Sequence, residues 1–163
     1  MVNNYLKDMG ECNYMDIDDF KKIQGLVLVS YNCGGLTNER LTDIRDSLIS
    51  PFTGILCLSE SHLCKNDDTG SYLIPGFNVF RQDRDTSQSK SSGGGLLTYV
   101  NEKLIADDSI YSHLNVYTYE LECQFVNITK KHCKDIVIVN CYGYQIINLL
   151  NHEIGLLTKL LKT

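Results

Sequence analysis

No stretch of the 163 residues approaches the roughly 18 consecutive apolar residues of a membrane-spanning helix, so no membrane partner is expected. The opening Met1-Val2-Asn3-Asn4-Tyr5-Leu6-Lys7-Asp8 lacks the basic-then-apolar layout of a secretion signal, which points to an intracellular chain, nuclear or cytoplasmic. Positive charge is not in excess. Fifteen Lys and Arg against twenty Asp and Glu leave a net charge of −5, which argues against a general binder of phosphate backbones. It does not exclude an enzyme that holds a cation at a phosphodiester. There is no Cys-x-x-Cys pair, so a zinc ribbon is poorly supported. The seven cysteines, an odd count at scattered positions, make a poor disulfide framework and read as reduced thiols. Cys57 and Cys141 lie in apolar runs and are expected in the core. Without a secretion signal the sequon Asn127-Ile128-Thr129 is expected to be idle.

What is present is ordinary globular usage, 43% apolar and 21% charged, at the length of one domain. Residues 1–24 read as a polar, weakly ordered leader with a short helix near 16–23, and residues 25–163 as the domain. Leu26-Val27-Leu28-Val29-Ser30-Tyr31 is a continuous β-prone run, and unbroken apolarity predicts a strand covered on both faces. Asn32-Cys33-Gly34-Gly35 ends it as a turn. A helix follows, capped by Asn38, with Leu41, Ile44, Leu48 and Ile49 on one face and Arg40, Asp43 and Asp46 opposite, stopping at Ser50-Pro51. Ile55-Leu56-Cys57-Leu58 is a second buried strand, which makes a βαβ crossover.

Further along, strands are predicted at 77–80 and 96–100, at 117–128 with one wet face, and at 135–140 fully buried. A charged, Ser-rich loop fills 81–92. Ile146, Leu149, Leu150, Ile154, Leu157, Leu160 and Leu161 repeat at helical spacing.

Glu60 follows the second strand, and Asn32 the first. In open α/β sheets, ligand sites gather beyond the carboxyl ends of the strands. If the two strands are parallel neighbours, a carboxylate and an amide oxygen emerge at one edge, two hard ligands suited to Mg²⁺. Each also has a plain reading, Asn32 as a turn residue and Glu60 as an exposed loop carboxylate. His62 and Cys64 form only a thin metal-ligand pair, and a surface or capping role is the better reading of His62. Gly93-Gly94-Gly95 is no phosphate loop, because a strand rather than a helix follows and no Lys-Ser or Lys-Thr is attached. Arg81 and Arg84 either touch nucleic acid or belong to a solvated face. Tyr142, beyond the strand at 135–140, could hydrogen-bond a phosphate oxygen.

The order of these segments is more specific than any one of them. Ser30-Tyr31-Asn32-Cys33-Gly34-Gly35-Leu36 resembles the first motif of the endonuclease/exonuclease/phosphatase superfamily. Leu58-Ser59-Glu60-Ser61-His62-Leu63 resembles the second. Phe80-Arg81-Gln82-Asp83-Arg84 followed by Gly93-Gly94-Gly95-Leu96-Leu97-Thr98-Tyr99-Val100 is similar to the endonuclease domain of non-LTR (LINE-type) retrotransposons. Glu122-Cys123-Gln124-Phe125-Val126 and Ile138-Val139-Asn140-Cys141-Tyr142 resemble later family strands.

The resemblance implies an incomplete α/β sandwich of that superfamily, two sheets face to face with helices outside. It also implies Mg²⁺ held by Glu60, support from Asn32, phosphate contact from Tyr142, substrate contact from Arg81 and Arg84, and DNA as the partner. A phosphatase of the same superfamily, acting on lipid or nucleotide phosphates, is the second enzyme class. A non-catalytic interaction remnant is the third.

The departures carry their own expectations. Gly143-Tyr144-Gln145 stands where the family continues with prolines. Neither Gly-Asp-x-Asn nor Ser-Asp-His occurs in the 163 residues. The resemblance therefore covers the first half of a family domain, and the general acid–base groups that typically contribute 10²–10⁴-fold in rate are missing. Little or no activity of the chain alone is expected, with self-association through an uncovered sheet face.

Overall fold

The computed structural model describes residues 26–84, 93–118, 120–129 and 134–143. The leader, its helix near 16–23, most of the Ser-rich loop and the helix at 146–161 lie outside the described residues. The described elements are β1 (Val27–Asn32), α1 (Asn38–Leu48), β2 (Thr53–Ser59), β3 (Phe77–Gln82), β4 (Leu96–Asn101), β5 (Ile105–Asp107), β6 (Val116–Tyr117), β7 (Leu121–Thr129) and β8 (Ile136–Gly143). Short 3₁₀ turns at Thr69–Tyr72 and Ser112–Leu114 complete the set.

β1 and β2 pair in parallel with α1 as their connection, so the βαβ crossover read from sequence is present. β4 adds antiparallel to β2 and β3 to β4, which gives the order β1-β2-β4-β3. In the second sheet β8 runs antiparallel along β7 from Leu121 to Ile128. β5 and β6 share the other edge of β7 at its two ends. The architecture is α/β: two sheets facing one another and α1 on the outer face of the first.

Two cores follow from strand alternation. Leu56, Leu58, Leu97 and Tyr99 point outward from the first sheet and pack with Leu41, Ile44 and Leu63. Ile55, Cys57 and Val100 point inward and meet Val126, Ile128 and Ile138 of the second sheet.

Three burial expectations are corrected. β1 is not covered on both faces; Leu28 and Tyr31 are exposed, because β1 is the outermost strand of its sheet. β8 is half-buried rather than fully buried, since β7 occupies one of its edges and Val139 and Ile136 remain exposed. β7, expected to have a wet face, is buried from Glu122 to Ile128. Its polar residues do not mark solvent: Glu122 and Gln124 face the first sheet, where Gln124 accepts a hydrogen bond from Thr98 at 2.6 Å.

Boundaries also shift. The helix is capped by Thr37, whose hydroxyl accepts from the Arg40 amide, and not by Asn38; it ends at Leu48 with Ile49 as its C-cap, just short of Ser50-Pro51. The long strand at 117–128 is two elements, β6 and β7. Asn127 is buried in β7 and its amide donates to Thr129 and Asp135, so the sequon is inaccessible in this fold.

Candidate active site

The carboxyl ends of β1 and β2 lie side by side, with Asn32 in register with Ser59. Beyond them, three turns are laced together by backbone hydrogen bonds. Cys33 and Gly35 donate to the carbonyls of Ser59 and Glu60 at 2.9 and 2.7 Å. Ser61 and His62 donate to the carbonyls of Gly95 and Gly94 at 3.1 and 2.7 Å. The motifs 32–36, 59–62 and 93–95, separate in sequence, therefore form one surface. The glycines allow this contact: a Cβ on Gly35 would stand 3.1 Å from His62 Nδ1, and Gly35 sits at φ +92°.

Glu60 is at the centre. Alternation along β2 would put it on the outer face with Leu58. Its φ of +55° ends the strand instead, and its carboxylate meets the second sheet. The Tyr142 hydroxyl, 82 residues away on β8, donates to Glu60 Oε1. Both side chains are half-buried. His62 repeats the left-handed backbone at φ +58°. Positive φ costs a non-glycine residue on the order of 1–2 kcal/mol, and such outliers cluster at functional sites. Two of them within three residues single out this loop.

Asn32 is exposed, and its Oδ1 accepts from the Gly34 amide at 3.0 Å, a turn of the Asx type. The plain reading of this residue is thus present in the geometry, and its backbone lies at the same sheet edge as Ser59 and Glu60. Arg40 tightens the turn further: its Nη1 lies 2.5–2.7 Å from the carbonyls of Cys33, Gly34 and Gly35. Periodicity assigned Arg40 only to the polar face of α1; its reach back over the turn has no signature in the sequence.

The two arginines of the 80–84 motif are both paired with carboxylates. Arg81 is held by Asp83 through both arms of its guanidinium, at 2.6 and 2.9 Å, and also donates to Thr69 Oγ1 and to the carbonyls of Asp67 and Cys64. Asp83 raises its pKa, keeping it charged. Arg84 donates to both oxygens of Glu122 at 3.0 and 3.1 Å. Their side chains are only 13% and 10% exposed. Both are engaged by carboxylates of the fold and present little surface.

Glu122 is the missed residue. It is fully buried, pairs with Arg84 and accepts from the Gly95 amide, so it fastens the triple-glycine turn to the second sheet. Asn140 is the other. Its buried amide lies 3.2–3.3 Å from the Leu58 and Leu97 carbonyls and Thr98 Oγ1. It joins β8 to β2 and β4 two residues before Tyr142, and thereby sets the reach of the phenol.

Among the described residues no group of three or more His, Cys, Asp or Glu is arranged to hold a metal. Glu60 with Asn32 is a lean oxygen pair. It fits an ion such as Mg²⁺, which keeps several waters and takes one or two carboxylates together with substrate oxygens. It does not fit a cation that needs an all-protein cage. None of the described helices is long and apolar enough to cross a membrane.

No family model matches the chain, and no curated protein is similar to it at a significant level. Among solved structures it is similar to the catalytic domain of APE2 from Xenopus laevis, at 18% identity and a TM-score of 0.47. The match covers 71% of this chain and 44% of that one, so the chain spans less than half the length of that domain.

Proposed function

We propose that Glu60, Asn32 and Tyr142 form the cation end of a Mg²⁺-dependent phosphodiesterase site, and that the chain is part of a DNA-nicking endonuclease domain of the LINE-type retrotransposon kind. The observation that carries this reading is the Tyr142–Glu60 hydrogen bond, which joins two motif residues from different sheets at a backbone outlier. A half-buried carboxylate held by a hydrogen bond at a backbone outlier is the kind of arrangement that functional sites retain, and holding a cation there would give it a purpose.

Bound Mg²⁺ would neutralise charge at the scissile phosphate and its leaving oxygen. Glu60 would hold it, and Asn32 would lend an amide oxygen from the neighbouring turn. Tyr142 would orient the Glu60 carboxylate and turn its hydroxyl to a phosphate oxygen when one arrives. Arg81 and Arg84 take no part beyond fixing the loop. With neither Gly-Asp-x-Asn nor Ser-Asp-His in the sequence, the acid–base groups that the resemblance calls for are missing, and little or no turnover by the 163-residue polypeptide is expected. Self-association through an uncovered sheet face belongs to the same reading.

The test is a gel shift of a supercoiled plasmid with purified chain. A Mg²⁺-dependent shift, absent in Glu60→Ala and without nicking, is the expected result. A shift that needs no Mg²⁺ and survives Glu60→Ala would overturn the site. Nicking by the wild-type chain, lost in Glu60→Ala, would overturn the claim of inactivity.

A further inference from the structure

β7 and β8 place two cysteines directly opposite one another. Cys123 is in register with Cys141, and their sulfur atoms are 3.2 Å apart. Facing residues of an antiparallel pair have Cα atoms about 4.5–5.5 Å apart. A disulfide requires about 4.4–6.8 Å, so the register meets the requirement without backbone movement. Rotation about the two Cα–Cβ bonds closes the remaining gap between the sulfurs.

The other described cysteines are not arranged in this way. Cys33 is buried and bonded to the carbonyls of Ser59 and Glu60. Cys57 is buried in the inter-sheet core. Cys64 is exposed, and its thiol points to the His62 carbonyl. Cys141 has both features that thiol exchange needs. It lines an open cleft of about 350 Å³ with Leu28, Ser30, Cys57 and Asn140. The adjoining Cys123 thiol also lowers its pKa by hydrogen bonding, which favours the thiolate, the attacking form.

We propose that Cys123 and Cys141 form a reversible cross-strand disulfide by exchange with a low-molecular-weight disulfide of the glutathione type. The Cys141 thiolate attacks one sulfur of the small disulfide, giving a mixed disulfide and releasing one small thiolate, which takes up the proton Cys141 lost. The Cys123 thiolate then attacks the Cys141 sulfur and expels the second small thiol. Two protein thiols are oxidised, and one small disulfide is reduced to two thiols. Cys141 sits between Asn140 and Tyr142, the residues through which β8 reaches the first sheet. The bond would therefore tie β8 to β7 at the step that positions Tyr142.

The experiment treats the folded full chain with oxidised glutathione, then alkylates it in denaturant and maps peptides by mass. The Cys123 and Cys141 peptides are recovered linked to one another and are released by dithiothreitol. In Cys123→Ser the reaction stops at glutathione bound to Cys141. Treatment in concentrated guanidinium abolishes the pairing preference. The proposal is overturned if Cys123 and Cys141 stay alkylatable in the folded chain, if either links mainly to another cysteine, or if wild-type Cys141 remains as the mixed disulfide.

Discussion

The phenol of Tyr142 and the carboxylate of Glu60, 82 positions apart, meet where the two sheets face each other. Neither side chain follows from its own strand alone. Glu60 arrives by a left-handed residue that ends β2, and Tyr142 by a strand that Asn140 fastens to the first sheet. Removing this hydrogen bond to a charged group by Tyr142→Phe is expected to cost about 1–2 kcal/mol. Urea unfolding should show a lower midpoint at an unchanged slope. A variant as stable as the wild type would mean that the contact is idle.

Arg84 and Glu122 give a larger effect. Glu122 is 1% exposed at its side chain, so Arg84→Ala leaves a buried charge without its main partner, at a cost of roughly 3–5 kcal/mol. Replacing both, as Arg84→Met with Glu122→Leu, should recover a large part of that loss, because an apolar pair carries no desolvation penalty. Recovery will be incomplete, since the Gly95 amide loses its acceptor. Thermal melts of the two variants check the order. A double variant less stable than Arg84→Ala contradicts the assignment.

Two glycines separate close approach from backbone angle. Gly94 and Gly76 have φ of +79° and +82°. A Cβ at Gly94 would lie 2.2 Å from the Arg84 guanidinium carbon, whereas at Gly76 nothing stands within 4 Å. Gly76→Ala should therefore cost only the angle, about 1–2 kcal/mol. Gly94→Ala adds the displacement of Arg84 and should be clearly the worse of the two by denaturant titration. Equal losses would show that Arg84 moves freely.

Alkaline pH provides a fourth handle. Burial pushes the thiols of Cys33 and Cys57 from 9.0 up to about 11. The folded state thus keeps protons that the unfolded state releases above pH 9. Stability is at its full value below pH 9 and falls as pH rises toward 11. Unfolding midpoints between pH 8 and 11 should show this decline, and Cys57→Ala should make it shallower. A flat profile would place these thiols in contact with water.

Much of the fold is legible in the sequence where apolar runs and glycine turns are local signals. β2, β4 and the βαβ unit follow from them, and so do Asn32 and Glu60 as neighbours, because parallel strands align their carboxyl ends. Burial of β1, β7 and β8 is not legible, since it depends on which strand lies at an edge. The alternation over 117–128 reads as one wet face, yet Glu122 and Gln124 form a polar seam between the sheets. The same ambiguity hides the roles of Arg40, Arg81 and Arg84. A cation near a glycine turn looks alike whether it serves a ligand or a carbonyl, and only the partners decide. Cys123 and Cys141 are unremarkable in spacing; register alone makes them a pair.

Cation binding at Glu60 is the most direct test of the central claim. Mn²⁺ can stand in for Mg²⁺ and be titrated into the wild-type chain, Glu60→Gln and Tyr142→Phe, with bound ion followed by water-proton relaxation. The wild type should show one saturable site, Tyr142→Phe should weaken it by about tenfold through loss of the orienting hydrogen bond, and Glu60→Gln should leave no specific binding. Binding by Glu60→Gln that matches the wild type would contradict the account.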